Sequence, residues 1–369
     1  MILSFNYSNG MWPAAGMVFG SNGALYGTTK SGANGAGTIF ELVPPATSGG
    51  TGSTTVIYSF PGGDHTTIHT PDGQVLFSPD GTLYTTTEAG GVIALAPPTE
   101  PGRSWTESTI YTVEGDLYGL TSGLVLKSGT LYGTGYDGGG SGCGGAYALQ
   151  PPLAPGGAWT ETELYGFEGP PNDGCGPSAT LTVGLGGVLY GATYYGGSGT
   201  VCYLFGLPGE DSGCGTVFQL TPPSTTGGIW TKTTLYAFTG ENGDGAYPSS
   251  NLMWGSGGVL YGTTQYGGTA ASVCSYWGAT GCGTVFELLP PAAPGGPWTE
   301  KVLHSFMGGQ DGDGAVPFAG LTPGPNGVFF GTTSAGGYAG HGTVFSIKPC
   351  PRAWHWQDQN RLVVLSRIL

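Results

Sequence analysis

Leu25-Tyr26-Gly27-Thr28-Thr29 is the stretch that decides the fold. Versions of it begin again at Leu83, Leu131, Leu189, Leu260 and Phe329, at spacings of 58, 48, 58, 71 and 69 residues. Gly-rich sequence follows each copy. A Gly-Thr-Val-Phe-like run comes next, ending near Phe40, Leu95, Leu149, Phe218, Phe286 and Phe345. Pro-Pro follows five of these runs and Pro349 alone follows the last. Recurrence at a near-fixed period marks a repeat architecture in which each unit buries its apolar face against its neighbours.

Two further runs complete each unit. One is typified by Leu164-Tyr165-Gly166-Phe167 and Leu235-Tyr236-Ala237-Phe238; the other is a short apolar run such as that at Leu181 or Leu252. In five units a proline precedes the latter (Pro13, Pro71, Pro177, Pro248, Pro317). Turn signals such as Asn22-Gly23, Asp80-Gly81 and Asn326-Gly327 separate the runs. In chain order the runs are named A, B (Leu-Tyr-Gly-Thr-Thr), C (Gly-Thr-Val-Phe) and D (Leu-Tyr-x-Phe). Six four-stranded antiparallel units predict an all-β, six-bladed β-propeller, whose radial arrangement protects most sheet edges.

The reading places one propeller domain over 1–349. Ile2-Leu3-Ser4-Phe5 resembles a D strand without a blade and is a candidate to close the last one. The rival is Leu362-Val363-Val364-Leu365. Residues 350–369 otherwise lose the repeat and read as an appended or divergent tail.

Composition agrees. The 369 residues include 75 Gly and 28 Pro, which excludes helical bundles, because either residue is costly in a helix interior. Hydrophobic residues at 38% and aromatics at 12% supply a core. A net charge of −14 argues against nucleic acid and anionic membranes as partners. No run approaches a membrane span. Seven cysteines without a Cys-x-x-Cys pair point to disulfides and an oxidising compartment. The expected location is secreted or cell-surface, with the export signal absent from this chain, and the expected state is a monomer.

The Leu-Tyr-Gly-Thr-Thr, Gly-Gly, Gly-Thr-Val-Phe and Asp-Gly-x-x-Pro elements together resemble the GloVer tandem repeats of bacterial, exported proteins. The resemblance covers residues 1–349. It implies no particular activity. Blade two departs most, with Leu83-Tyr84-Thr85 in place of Leu-Tyr-Gly and no Asp-Gly before Pro71.

Propeller topology puts the D-to-A and B-to-C loops on one face, which receives most of the 23 acidic residues and, of the bases, Lys30 alone. An acidic face concentrates cations. Four D-to-A loops carry an acid at matched places, Asp116, Asp173, Asp244 and Asp313. Each fits either a carboxylate ring around the mouth or an Asx turn that shapes its own loop. Blade two breaks the repeat with Asp64, His65, His69 and Asp72 within nine residues, the densest metal-type cluster in the sequence. Candidate catalytic residues are therefore Asp64, His65, His69 and Asp72. Candidate ligands of a divalent ion (calcium first, then zinc or manganese) are Asp64, His69, Asp116, Asp173, Asp244 and Asp313.

Blades four and five have the longest B-to-C loops, rich in aromatic residues. Tyr195, Tyr203, Tyr266 and Trp277, with His341, are the candidate substrate contacts. Cys202 and Cys214 bracket one loop, Cys274 and Cys282 the other; Cys143 and Cys175 are the remaining candidates for a pair. The first functional expectation is a metal-dependent hydrolase of esters, lactones or phosphotriesters on the acidic face. The alternative is a non-catalytic propeller module that binds glycans or cell-surface partners.

Overall fold

The computed structural model describes the chain except residues 1–4, 6–9, 14, 33–34, 46–51, 62–69, 89, 101–102, 113–121, 139, 155, 203–212, 226, 271–273, 277–278, 294, 310–312, 338–339, 350–360 and 365–369. Six antiparallel sheets share the order A-B-C-D, and the described residues contain no α-helix. The protein is a six-bladed β-propeller. It forms two compact units, Met1–Gly166 with blades one to three and Phe167–Ile368 with blades four to six.

In the first unit, strands B, C and D span Leu25–Ser31, Thr38–Val43 and Ser53–Ser59 in blade one. They span Leu83–Thr86, Gly91–Ala96 and Thr106–Thr112 in blade two, and Thr130–Gly135, Gly145–Gln150 and Thr160–Gly166 in blade three. In the second unit they span Leu189–Gly196, Thr216–Thr221 and Thr231–Ala237 in blade four, then Leu260–Gly267, Thr284–Leu289 and Thr299–Ser305 in blade five. Blade six has Phe329–Thr333 and Thr343–Lys348, and its D strand is Arg361–Val364 from the tail. Residues 2–4 lie outside the described residues. Phe5 is edge-on to Phe40 with ring centroids 5.1 Å apart.

Each letter of the B motif has a physical use. Leu83, Leu131, Leu189 and Leu260 are fully buried. Tyr26 donates to Glu41 at 2.6 Å; burial, reinforced by this carboxylate, pushes its hydroxyl up to about 12. The glycine lies opposite the aromatic residue of strand C, as in Gly191↔Phe218 and Gly262↔Phe286. A Cβ on Gly191 would come within 2.5 Å of the Phe218 ring. Blade two replaces both partners, pairing Thr85 with Ile93, and the Thr85 hydroxyl donates to the Gly73 carbonyl at 3.0 Å.

The two threonines stitch outward and inward. Thr86 donates to the Ser122 carbonyl of the next blade at 2.9 Å, and Thr263 to that of Ala319 at 3.2 Å. The second threonine meets a strand C threonine in its own blade, as in Thr29–Thr38 at 2.7 Å and Thr264–Thr284 at 2.8 Å.

The apolar core lies between consecutive blades. Ile39 and Phe60 of blade one pack with Leu83, Ile93 and Leu95 of blade two. Phe306 of blade five packs with Phe345 and Ile347 of blade six. The phenylalanine after strand D stands edge-on to the next blade's strand C ring, Phe167 on Phe218, Phe238 on Phe286 and Phe306 on Phe345, at 5.0, 5.2 and 5.0 Å. Burying such a ring stabilises by about 1.5–3 kcal/mol, with about 0.5–1.5 kcal/mol more from the pair.

Strand A is broken in three blades. Its pieces are Met11–Pro13 and Val18–Phe19 in blade one, Gly174–Pro177 and Thr182–Val183 in blade four, and Gly245–Pro248 and Met253–Trp254 in blade five. The proline lacks an amide donor and ends the first piece.

Candidate polar-aromatic binding site

With five B-motif positions committed to packing, the sixth is free to vary. It holds Lys30, Glu88, Tyr136, Tyr194, Gln265 and Ser334, a different side chain in every blade but for the two tyrosines. This residue lies near the end of strand B in blades one, four and five and just beyond it in blades two, three and six. In the first unit Lys30 reaches Asp72 of the next blade at 2.7 Å, so this carboxylate already faces a cation. Glu88 is exposed, and its amide donates to the Thr70 carbonyl at 2.9 Å.

In the second unit the same position builds a connected cluster. The Tyr194 hydroxyl donates to Gln265 Oε1 at 3.1 Å, and Gln265 Nε2 donates to Ser249 Oγ at 2.8 Å. The Ser249 hydroxyl continues to the Phe318 carbonyl at 3.3 Å. The Tyr194 ring stacks on Tyr247, with centroids 4.9 Å apart and planes at 25°. Tyr195 stands edge-on to both. Tyr266 is edge-on to Tyr247 at 6.1 Å. Tyr195, Tyr247 and Gln265 are buried, while Tyr194, Tyr266 and Ser249 are half-buried. The result is a shelf of phenol, amide and hydroxyl groups on a rigid aromatic base.

The loops beside this shelf are covalently braced. Cys202–Cys214 and Cys274–Cys282 are disulfides, with Cα atoms 5.2 and 5.0 Å apart. The second loop also contains a small hairpin, Ser275–Tyr276 with Ala279–Thr280. Cys143 and Cys175 are disulfide-bonded as well. Among the described residues, no helix is long and apolar enough to cross a membrane.

The sequence-derived candidates scatter differently. Asp64, His65, His69, Asp116, Tyr203 and Trp277 lie outside the described residues. Tyr195 supports the shelf from beneath; Tyr266 lines it. His341 is exposed in the blade-six loop, bridged to Gly336.

Asp173, Asp244 and Asp313 act as loop locks. Asp173 Oδ2 accepts the Glu168 amide at 2.9 Å, Oδ1 accepts the Gly174 amide at 2.7 Å, and Lys232 pairs with it. Asp244 accepts from the Thr239 amide, the Thr239 hydroxyl, the Tyr236 hydroxyl and the Gly245 amide. Asp313 accepts the Met307 amide at 2.8 Å and pairs with His304. Burial alone would raise the Asp313 carboxyl, yet His304 and the Met307 amide hold it below its ordinary value. Among the described residues, no three His, Cys, Asp or Glu side chains converge as a metal would require.

The family model described as Gloeobacter/Verrucomicrobia repeat matches residues 202–355. Residues 202–355 carry this repeat. Over those residues the match supports the resemblance read from the B and C motifs. No curated protein shows a match. Among solved structures, the chain is similar to a calcium structure of a Carbohydrate-Active Enzymes Family AA12 protein from Trichoderma reesei. There the TM-score is 0.50 and identity 13%, over 92% of this chain and 93% of the other. It is also similar to the holo PQQ domain of pyranose dehydrogenase from Coprinopsis cinerea, with TM-score 0.51 and identity 11%, over 93% and 94% of the two chains. At such identities the likeness bears on the fold alone.

The sequence-derived set of contacts left out Tyr194, Tyr247, Ser249 and Gln265, although Tyr194 stands among the aromatic residues of the long blade-four loop. A signal for two of them was present. The column after Leu-Tyr-Gly-Thr-Thr varies where its neighbours do not, and a position released from packing is where a repeat protein can individualise a blade.

Proposed function

We propose that this protein is a secreted, non-catalytic binding module for neutral, hydroxyl-rich ligands, glycans foremost, with its contact surface on the second unit. The observation that carries this reading is the chain Tyr194–Gln265–Ser249 laid over the Tyr194–Tyr247 stack. Aromatic faces give an apolar platform, and a few fixed polar groups give orientation, which is the usual economy of a small-ligand site. Among the described residues the cluster contains no ionised group, which favours uncharged sugars. The disulfides at Cys202–Cys214 and Cys274–Cys282 limit loop ordering on binding, a main cost of association. They also suit an oxidising compartment.

A divalent-metal hydrolase would draw on Asp64, His65 and His69 with Asp72. The Asp72 carboxylate is engaged by Lys30, and Asp173, Asp244 and Asp313 are engaged by their own loops. The carboxylates that are described do not fit a metal set.

The test is a glycan array followed by calorimetric titration of the best oligosaccharide. Binding is expected to survive chelation and to weaken about tenfold or more in Tyr194→Ala, in line with the loss of one anchoring aromatic. Loss of binding on chelation, or turnover of an ester or lactone restored by a divalent ion, would overturn the proposal.

A further inference from the structure

The second residue of strand D is a repeated polar position. Leu95, Leu149, Leu220 and Leu288 of strand C pair with Glu107, Glu161, Lys232 and Glu300, so these four are equivalent. In the first unit a phenol of one blade latches onto the carboxylate of the next: Tyr58 donates to Glu107 and Tyr111 to Glu161. In blade four the position is a cation, and Lys232 pairs with Asp173.

The seam between blades four and five breaks this pattern. Tyr236 donates to Asp244 Oδ2 at 3.1 Å instead of to Glu300. Glu300 is left between Asp244 and Glu287, and its Oε1 is buried without a hydrogen-bond partner. The titratable groups around it are Tyr236 of blade four, Asp244 of the connecting loop, Glu287 of strand C, and Lys301, whose ammonium lies 3.5 Å from Glu287. Four donors address Asp244. A carboxylate oxygen buried beyond the reach of any donor, with other carboxylates beside it, disfavours the ionised form.

We infer that the buried, unpartnered Oε1 of Glu300 makes the seam between blades four and five a pH-sensitive latch, held by a proton on Glu300 and loosened when that proton leaves. Burial, then repulsion from Asp244 and Glu287, pushes the Glu300 carboxyl up to about 8. In the unfolded chain it ionises at about 4.3. The folded state therefore binds the extra proton between these two values. Stability is full below the lower one, falls as pH rises through the window, and levels off above the upper one.

The test is the thermal midpoint of the full chain from pH 5 to pH 9. The wild type is expected to lose roughly 5 °C or more across this range. Glu300→Gln, which fixes the neutral form, should lose less than half as much. Glu300→Lys, which copies the Lys232–Asp173 pair of blade four, should exceed the wild type at pH 8.5. A Glu300→Gln protein with the wild-type slope overturns the inference, as does a wild type whose midpoint does not fall. Carboxyl NMR titration of the wild type serves if a variant does not fold. One glutamate titrating above pH 7 is expected, and none contradicts the latch.

Discussion

Tyr194 lies on Tyr247, and Tyr247 holds a left-handed φ of 57° immediately before Pro248. The same pre-proline position is occupied by Trp12 (φ 55°), Gly176 (φ 66°) and Val316 (φ 55°). A residue before proline ordinarily takes extended backbone. Left-handed backbone costs a non-glycine residue about 1–3 kcal/mol. Only Gly176 takes it freely. The bend ends the first piece of strand A, and in blade five it sets a buried tyrosine under Tyr194.

Backbone strain should therefore be separable from packing. Trp12 is 69% exposed and has little burial to lose. Trp12→Gly should stabilise the protein by about 1 kcal/mol by relieving the left-handed φ. Tyr247→Gly relieves the same strain but empties a fully buried site, and should cost about 3 kcal/mol or more. Denaturant unfolding of both variants checks the pair.

The first threonine of the B motif should matter only where it has a partner. The Thr28 hydroxyl is buried without one, whereas Thr263 donates to the Ala319 carbonyl. Thr28→Val is expected to leave stability unchanged or raise it by up to about 1 kcal/mol. Thr263→Val should cost about 1–2 kcal/mol, because it orphans a carbonyl. Matched denaturation curves distinguish the two.

The glycine and the aromatic ring opposite it should be coupled. Gly191→Thr is expected to destabilise by about 1–3 kcal/mol through its clash with Phe218. Adding Phe218→Ile, which recreates the Thr85–Ile93 pair of blade two, should recover part of this loss. A double-mutant cycle with no coupling would contradict the packing account.

Acid should act on the blade-six loop lock. The Asp313 carboxyl is held below its ordinary value, so it stabilises the fold above that value and loses this contribution as pH falls through the depressed one. Asp313→Asn should lower the midpoint at pH 7 and flatten its fall between pH 5 and pH 2. Thermal unfolding against pH reads both effects.

The blades were legible because their motif letters do separate physical jobs. Gly191 must face a ring, Thr264 must face a threonine, and Leu260 must be buried, so each recurs. The break in strand A was not legible as such. Pro177 and Pro248 stood out as spaced signals, but a left-handed residue before proline has no compositional mark when it is a tyrosine. The closing strand was one of two alternatives, because Arg361–Val364 carries no repeat motif. At the site, the Asp-Gly steps suited both a turn and a ligand ring. Hydrogen bonds from loop amides to Asp244 and Asp313 follow the turn reading. The Tyr194–Gln265 contact joins residues 71 apart, and neither belongs to a recognisable chemical motif.

The measurement that bears most directly on the binding-module account is calorimetric titration of an array-selected neutral oligosaccharide into wild type, Tyr194→Ala and Gln265→Ala, each with and without chelator. The account predicts binding in the wild type that is indifferent to chelation and about tenfold or more weaker in both variants. Equal affinity in all three proteins, or wild-type affinity that disappears with the chelator, would contradict it.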